Sequence, residues 1–555
     1  MKNSESLDTS TEVCLVSTYS PNHASVVSES LGSEALAGDL IGEFGDEVDV
    51  SHLDLQIEDM GSVKERVRKV GRGIVGVSAK IGSLAQLDEI VTSVRQGSEN
   101  PSLVLGGVVP TFATDELLRR YPEAIIAVGE AELAMRGLVE HTRNQRALET
   151  IPGIAFIKDG EKIQTDPRRI DLADLRLPAR LTTERVYKDH EGLVWFEGSR
   201  GCDWHCTFCS RRSLRGEGFS GNIPVSHVVD DLENLSRMGI RSAHASDDDW
   251  GGDTERNLAI AEEILARNID MKWSISTRAD HIWKEVRPGD NPEDIARENQ
   301  RLEYIIRRQM AAGLDRVFLG LESFSPSQLK RYGKSISAHA NYQAVKVLHE
   351  LGVNVVAGYI PIDPLMDLGE LRENLAGLRA TGMYKNVSSP LSILRIQEGS
   401  AYLKMAQIRG RQDGVNYVGE RSDDLVFYEI ENYRDGRVQK IADIAKQWIV
   451  EMHPIIFDLK MELFSATQDS ILTDLQQKWS ENTLERFREL EMQMIESATN
   501  LLMIEPNGSV SHIVNEFNKR RLNLLQEVSV EMAKMGVKLN NSSYLMEVIG
   551  NAKVA

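Results

Sequence analysis

The sequence predicts an α/β protein with an N-terminal doubly wound parallel sheet, a central partial (β/α)6 barrel and a C-terminal helical domain. Two patterns carry this prediction. Short apolar runs alternate with amphipathic stretches over 13–179 and again over 194–396, as parallel strands covered by helices require. Beyond Asp423 the strand signal stops and apolar residues recur at threes and fours, as at Ile441, Ile444, Trp448 and Ile449. The expected domains are 1–180, 190–422 and 423–555.

In the first part, strands are expected at Val13–Ser17, Val48–Leu53, Ile74–Ser78, Leu103–Leu105 and Ala124–Val128. Helices should begin near Ser28, Ser83, Thr114 and Glu130. Sheets of this kind bind ligands along the carboxyl edge of their strands. Glycines stand at two such tips, Leu105-Gly-Gly-Val-Val-Pro-Thr111 and Val128-Gly-Glu-Ala-Glu132. There they serve a tight turn or the close approach of a ligand to bare backbone.

The second part predicts strands at Val194–Gly198, Ser242–Ala245, Lys272–Thr277, Arg316–Leu321, Val353–Ile360 and Ser388–Ile396. Intervening helices are expected at Val225–Met238, Thr254–Asn268, Asn299–Ala312, Ala338–Leu351 and Leu368–Thr381. Six units give a partial barrel, whose chemistry belongs at the carboxyl ends of the strands. The third part reads as long helices over Val438–Leu463, with a break at Pro454, then Asp469–Leu502 and Val510–Met535.

With 555 residues, 41% of them apolar, the chain can build ordinary cores. A net charge of -20, from 64 basic and 84 acidic residues, argues against a nucleic-acid partner. The sequence has no apolar run of membrane-spanning length, and its first residues lack an apolar signal core, so a cytoplasmic location is expected.

The chain has four cysteines. Cys14 lies in the apolar run Val13-Cys-Leu-Val16 and reads as a small buried hydrophobe. Cys202, Cys206 and Cys209 share the run Gly201-Cys-Asp-Trp-His-Cys-Thr-Phe-Cys-Ser210. Three thiolates at this spacing can hold three irons of a [4Fe-4S] cluster and leave the fourth open, whereas carrier clusters are usually closed by four cysteines. The alternative is a zinc ion with His205 or His244 as fourth ligand, which would make the chain a noncatalytic scaffold. An odd trio of neighbouring cysteines argues against disulfides.

The CxxxCxxC run, with the aromatic Phe208 before its last cysteine, resembles the radical S-adenosylmethionine superfamily. The resemblance implies that the open iron chelates S-adenosylmethionine and that one electron cleaves it to a 5'-deoxyadenosyl radical. It further implies roles at the other strand tips. Asp247 and Asp249, in Ser246-Asp-Asp-Asp-Trp250, would hold the cofactor's amino group. Arg278, in Ser274-Ile-Ser-Thr-Arg-Ala-Asp280, would meet its carboxylate. Glu322, in Gly320-Leu-Glu-Ser323, would face cofactor or substrate as a catalytic group. Strand five ends in Gly358-Tyr-Ile-Pro-Ile-Asp-Pro364. Lys334, in Tyr332-Gly-Lys-Ser335, lacks the upstream glycine of a phosphate loop; it reads as part of a surface turn, with a substrate-side position as the alternative that the resemblance implies.

The succession Gly76-Val-Ser78, Gly106-Gly107, Pro110-Thr111 and Gly129-Glu130 resembles the cobalamin-binding-type domain that precedes the radical domain in one class of that superfamily. Ser78, Gly106 and Gly107 would then face the cobalamin nucleotide tail. The Asp-x-His-x-x-Gly motif that supplies a cobalt ligand is missing; His23, in Pro21-Asn-His-Ala-Ser-Val26, reads as a loop histidine.

The resemblance implies a cobalamin-dependent methyltransferase acting on an unactivated carbon of a natural-product, peptide or lipid substrate. A one-electron reductant such as flavodoxin or ferredoxin would be its partner. The alternative within the family is a cyclase, oxidoreductase or rearrangement enzyme that does not use cobalamin. The cysteine count leaves no thiols for a second cluster.

Overall fold

The computed structural model describes residues 10–20, 26–215, 219–466 and 474–535. His23 and the expected helix start at Asp469 lie outside them. The described chain divides into two compact units. One holds 1–203, 210–246 and 421–427, the other 204–209, 247–420 and 428–555.

In the first unit a seven-stranded sheet has the order β2-β1-β3-β4-β5-β6-β7. Its members are β1 (Thr11–Ser17), β2 (Val48–Asp54), β3 (Ile74–Ser78), β4 (Ser102–Gly106), β5 (Ile125–Ala127), β6 (Ile154–Lys158) and β7 (Glu161–Gln164). Strands β1 to β5 run parallel, in the doubly wound arrangement whose strand order reverses between β1 and β3. Both faces are covered, and Val13, Cys14 and Val16 are fully buried.

The sheet's last two strands form an antiparallel hairpin that the periodicity reading did not include. Its turn is Asp159-Gly160, with φ of 53° and 82°, the left-handed pair that a two-residue hairpin turn needs. Also unforeseen is the helix Met60–Arg68, capped by the Asp59 side chain, which accepts from the Ser62 N–H. The short helix Val108–Phe112 was likewise not expected, whereas Leu31–Phe44, Leu84–Arg95, Thr114–Arg120 and Glu132–Thr142 begin within three residues of their expected starts.

The same unit holds the parallel pair β8 (Trp195–Phe196) and β11 (Ser242–Ala245). It also holds the antiparallel pair β9 (Ser199–Gly201) and β10 (Ser220–Asn222).

In the second unit, β12 (Lys272–Arg278), β13 (Leu314–Glu322) and β14 (Asn354–Tyr359) pair in parallel. Alternation splits their side chains. Trp273, Ile275, Val317, Leu319, Val355 and Ala357 are buried toward the covering helices. Ser274, Ser276, Phe318 and Gly358 line the opposite, more open face, where Phe318 keeps 43% of its surface exposed.

The sixth strand expected at Ser388–Ile396 is reduced to two isolated parallel bridges, Ala357 to Val387 and Ile362 to Ile393, and the short β15 (Ile396–Gln397). Pro390 explains this, since it cannot donate to a ladder. The expected break at Pro454 also does not occur, because one helix runs from Gly436 to Ala466. Ile455 and Leu459, fully buried beside it, supply packing that outweighs the roughly 3 kcal/mol a helical proline costs. Helices Asp474–Ile504 and Ser511–Met535 complete the helical C-terminus.

Candidate active site

The cysteine loop follows β9. Cys202, Cys206 and Cys209 are each partly exposed and none is in a disulfide; Cys14 is buried. In the first unit, the strand leading into Cys202 is fixed by Arg200. Its guanidinium donates to Glu197 at 3.0 Å and to Glu132 at 2.7 Å, with Glu130 at 3.6 Å. Arg200 is 5% exposed, so this group buries one cation among three carboxylates.

In the second unit, the rest of the loop rests on the segment Arg331–Lys334. Thr207 donates its N–H to the Tyr332 carbonyl and its hydroxyl to the Arg331 carbonyl, both at 2.9 Å, while its own carbonyl accepts from the Tyr402 N–H at 2.7 Å. The Phe208 ring meets Tyr332 edge-on at 5.3 Å. Gly333, with φ of 67°, lies so close below that a Cβ there would stand 2.8 Å from the His205 carbonyl oxygen.

Arg278 reaches this loop from the end of β12. One guanidinium nitrogen points at the Cys206 sulfur at 3.6 Å, and two others grip Asp280 at 2.9 and 3.1 Å. The Lys334 carbonyl accepts from it at 2.5 Å, and the guanidinium lies 3.7 Å from the centre of the Trp204 ring. Trp204 in turn donates to Asp249 at 3.1 Å, whose carboxylate also meets His281 at 3.0 Å and Thr277 at 3.2 Å. Burial works against the charge of Asp249, but these hydrogen bonds and the charge of Arg278 outweigh it and hold its pKa below the ordinary value.

Glu322 ends β13 in the left-handed region, with φ of 64°, at a register shift in its pairing with β14. Its Oε1 is 3.6 Å from the Lys334 ammonium, which donates to the Gly320 carbonyl at 2.9 Å. Burial pushes the Glu322 carboxyl upward, opposed by Lys334 and Arg278. Gly320 and Gly358 keep this spot open, since a Cβ at either would meet Glu322 Oε1 at 3.0 or 3.6 Å.

The structure thus brings together Arg278, Glu322, Asp249 and Cys206. Asp247 is buried at the head of the neighbouring loop, and its charge acts on Arg256. Lys334 is a correction. It is 2% exposed, which excludes the surface turn and leaves the inward-facing alternative, and its ammonium lies against Glu322 and the Gly320 carbonyl. The signal was present in Gly333-Lys334, but periodicity says nothing about which turn becomes buried. His281 and Trp204 were also missed.

The donor set suits an iron-sulfur cluster. Burial pushes the Cys206 thiol up and outweighs the downward pull of Lys334 and Arg278, so the free thiol is held protonated until a metal takes the proton's place, with those two cations on hand to face the resulting thiolate. Among the described residues no three His, Cys, Asp or Glu side chains gather around one point for a single ion. Three thiolates on separate irons have no such need.

At the carboxyl edge of the first unit's sheet, the Ser78 carbonyl accepts from both the N–H and the hydroxyl of Thr18, at 3.1 and 3.0 Å. The Gly106 carbonyl accepts from the Ala79 N–H at 2.9 Å. Gly107 is exposed, with φ of 98°, and a Cβ there would be 3.4 Å from the Ser78 hydroxyl. Lys80, lowered in pKa by burial with Asp54 opposing, donates to Ser30 at 2.8 Å. This bare glycine tip beside a half-buried serine fits close approach by a large planar cofactor and its tail.

Residues 196–374 match the radical SAM superfamily, and residues 24–139 match the B12 binding domain. The chain carries a radical SAM domain and a B12-binding domain. The structure of the cobalamin-dependent S-adenosylmethionine radical enzyme OxsB, with aqua-cobalamin and S-adenosylmethionine bound, aligns with a TM-score of 0.83 and 21% identity, covering 98% of this chain and 83% of that one. The radical S-adenosylmethionine methyltransferase TsrM from Kitasatospora setae aligns with a TM-score of 0.58 and 17% identity, over 72% and 77% of the two chains. These likenesses show the fold: an N-terminal parallel sheet, a central parallel sheet of the radical SAM type and a helical C-terminus.

Among curated relatives, 4'-phospho-dehydrooxetanocin synthase from Priestia megaterium is 25% identical over 70% of this chain. Hopanoid C-3 methylase from Methylococcus capsulatus is 24% identical over 58%. The chain spans 58% of the length of each. No helix among the described residues is long and apolar enough to cross a membrane.

Proposed function

We propose that the chain is a cobalamin-dependent radical S-adenosylmethionine enzyme, a methyltransferase acting on an unactivated carbon of a natural-product, peptide or lipid substrate. The observation that carries this reading is Cys206, set on a rigidly held CxxxCxxC loop against Arg278 and close to the Lys334–Glu322 pair. The three parts 1–180, 190–422 and 423–555 would serve cobalamin, the radical chemistry and substrate enclosure. The setting is the reducing cytoplasm, with a flavodoxin- or ferredoxin-type electron donor.

Cys202, Cys206 and Cys209 would hold a [4Fe-4S] cluster, and Ser78, Gly106 and Gly107 would border cobalamin. When bound, the cluster supplies one electron for cleaving S-adenosylmethionine and cobalamin supplies a methyl carrier. The chain's own residues orient and shield. Arg278 donates toward the Cys206 sulfur, favouring the thiolate. Asp249 fixes Trp204, whose ring covers the Arg278 guanidinium from water. Glu322 offers a buried carboxyl to the ammonium of the methionine moiety, and Asp247 would lie on the same side of the cofactor.

A second reading, radical cyclisation, oxidation or rearrangement, is favoured by the synthase relative, which aligns over more of this chain than the methylase does. One experiment separates them. The protein is reconstituted with iron, sulfide and hydroxocobalamin without oxygen and supplied with methyl-labelled S-adenosylmethionine and candidate substrates. Four irons, retained cobalamin and label in the product support the methyltransferase. Labelled S-adenosylmethionine cleaved with no label in the product supports the second reading. Colourless protein with one zinc defeats both.

A further inference from the structure

Lys334 is among the largest fully enclosed side chains of the protein, and an ammonium is costly to bury without opposing charge. Its surroundings show which charge it answers. Arg278 is already met by the two-pronged Asp280 carboxylate. Glu322 lies 3.6 Å from the Lys334 ammonium, an ion-pair distance beyond hydrogen-bond length, and the 2.9 Å bond goes instead to the neutral Gly320 carbonyl. The lysine is therefore only partly neutralised by Glu322, and it stands beside the cysteine loop: its neighbour Gly333 lies against the His205 carbonyl, and the Cys206 sulfur of that loop receives the Arg278 guanidinium at 3.6 Å. The backbone of the same residue, through its carbonyl, fixes the guanidinium that points at that sulfur.

We propose that Lys334 is a positioning residue that sets the reduction potential of the cluster on the cysteine loop, with Glu322 as its counterweight. The inference rests on the cluster reading above. The step concerned is the addition of one electron, with no proton, from a low-potential donor such as dithionite or a reduced flavodoxin-type protein, which lowers the cluster's charge state by one. A nearby cation favours the more negative, reduced state and a nearby anion disfavours it. The pair is thus placed to act in opposite directions on one quantity, which mere structural support does not do.

The test uses the full chain, reconstituted without oxygen, as wild type, Lys334→Met, Lys334→Gln, Lys334→Arg and Glu322→Gln. Iron content and the midpoint potential, read by electron paramagnetic resonance during a dithionite titration, are measured for each. The expected result is a wild-type iron content throughout. Lys334→Met and Lys334→Gln shift to lower potential, Lys334→Arg returns toward wild type, and Glu322→Gln shifts to higher potential. Wild-type midpoints in both neutral lysine variants overturn the inference while the cluster reading stands. So does loss of iron in every lysine variant with an unchanged Glu322→Gln midpoint, which makes the lysine a structural support. A wild-type protein that takes up no four-iron cluster overturns the cluster reading and this inference together.

Discussion

Replacing Gly333 by alanine tests whether the floor beneath the cysteine loop positions that loop. Gly333 has φ of 67°, so an alanine there carries the left-handed cost of about 1–2 kcal/mol. Its new Cβ would also stand 2.8 Å from the His205 carbonyl oxygen, a backbone atom. Relieving that contact moves the loop by several tenths of an ångström, against the two 2.9 Å bonds and the 2.7 Å bond that hold Thr207. Overpacking of this kind costs about 1–3 kcal/mol, so the total is about 2–5 kcal/mol.

Gly352→Ala is the matched control, because Gly352 has φ of 78° and nothing within 4 Å of a Cβ. It carries the left-handed cost alone. Both variants are compared by urea unfolding of the apoprotein and by iron content after anaerobic reconstitution. Gly352→Ala should lose about 1–2 kcal/mol and load iron normally. Gly333→Ala should lose more and load poorly. Equal iron loading in the two variants would refute the claim that Gly333 holds the loop in place.

Cys14 is buried in β1 and its thiol is pushed up to about 11 by burial, so in native apoprotein at pH 8 the three partly exposed loop thiols should be alkylated, Cys206 more slowly because burial raises its pKa, while Cys14 reacts only in denaturant. Mass spectrometry of the labelled peptides counts them. Lys460 donates to the Ser388 carbonyl, and burial together with the nearby Arg488 lowers its pKa to about 7. The folded state thus binds fewer protons than the unfolded state between about pH 7 and the ordinary lysine value, and stability contributed by this group rises with pH across that window. Lys460→Met should gain roughly 2–4 kcal/mol at pH 7 and lose this slope, as read by urea unfolding at several pH values. Gly107→Val places a branched side chain against the Ser78 hydroxyl in a backbone region valine rarely adopts. It should reduce cobalamin retained after gel filtration at least tenfold while leaving iron content unchanged.

The strands that order the first sheet were readable because each is a short apolar run between turn signals, and the three cysteines because their spacing is itself the chemistry. What escaped was long-range. The contact of Gly333 with His205 joins residues far apart in sequence, and no local period encodes it. The triple grip on Asp249 by Trp204, Thr277 and His281 likewise comes from three separate segments. The hairpin β6–β7 was legible in Asp159-Gly160 but its strands are short and only half apolar. Ser388–Ile396 looked like a strand because Leu391, Ile393, Leu394 and Ile396 crowd its later part, and Pro390 was the contrary sign.

The conformation of Glu322 ties these observations to function. A non-glycine residue with φ of 64° costs of order 1–3 kcal/mol and persists only where its surroundings fix it. Here they do so from several sides. The β13–β14 register shifts at this residue, the Ile360 N–H donates to its carbonyl at 2.9 Å, and Lys334 faces its carboxylate. Relaxation to ordinary extended backbone would remove that strain but would carry the carboxylate away from Lys334 and leave the ammonium buried without its partner, a change worth about 3–5 kcal/mol. The larger electrostatic term wins, so the strained backbone is held by the ion pair. A carboxylate held this way stays put without being anchored by a direct hydrogen bond to the lysine, which leaves its oxygens available to an incoming ammonium group.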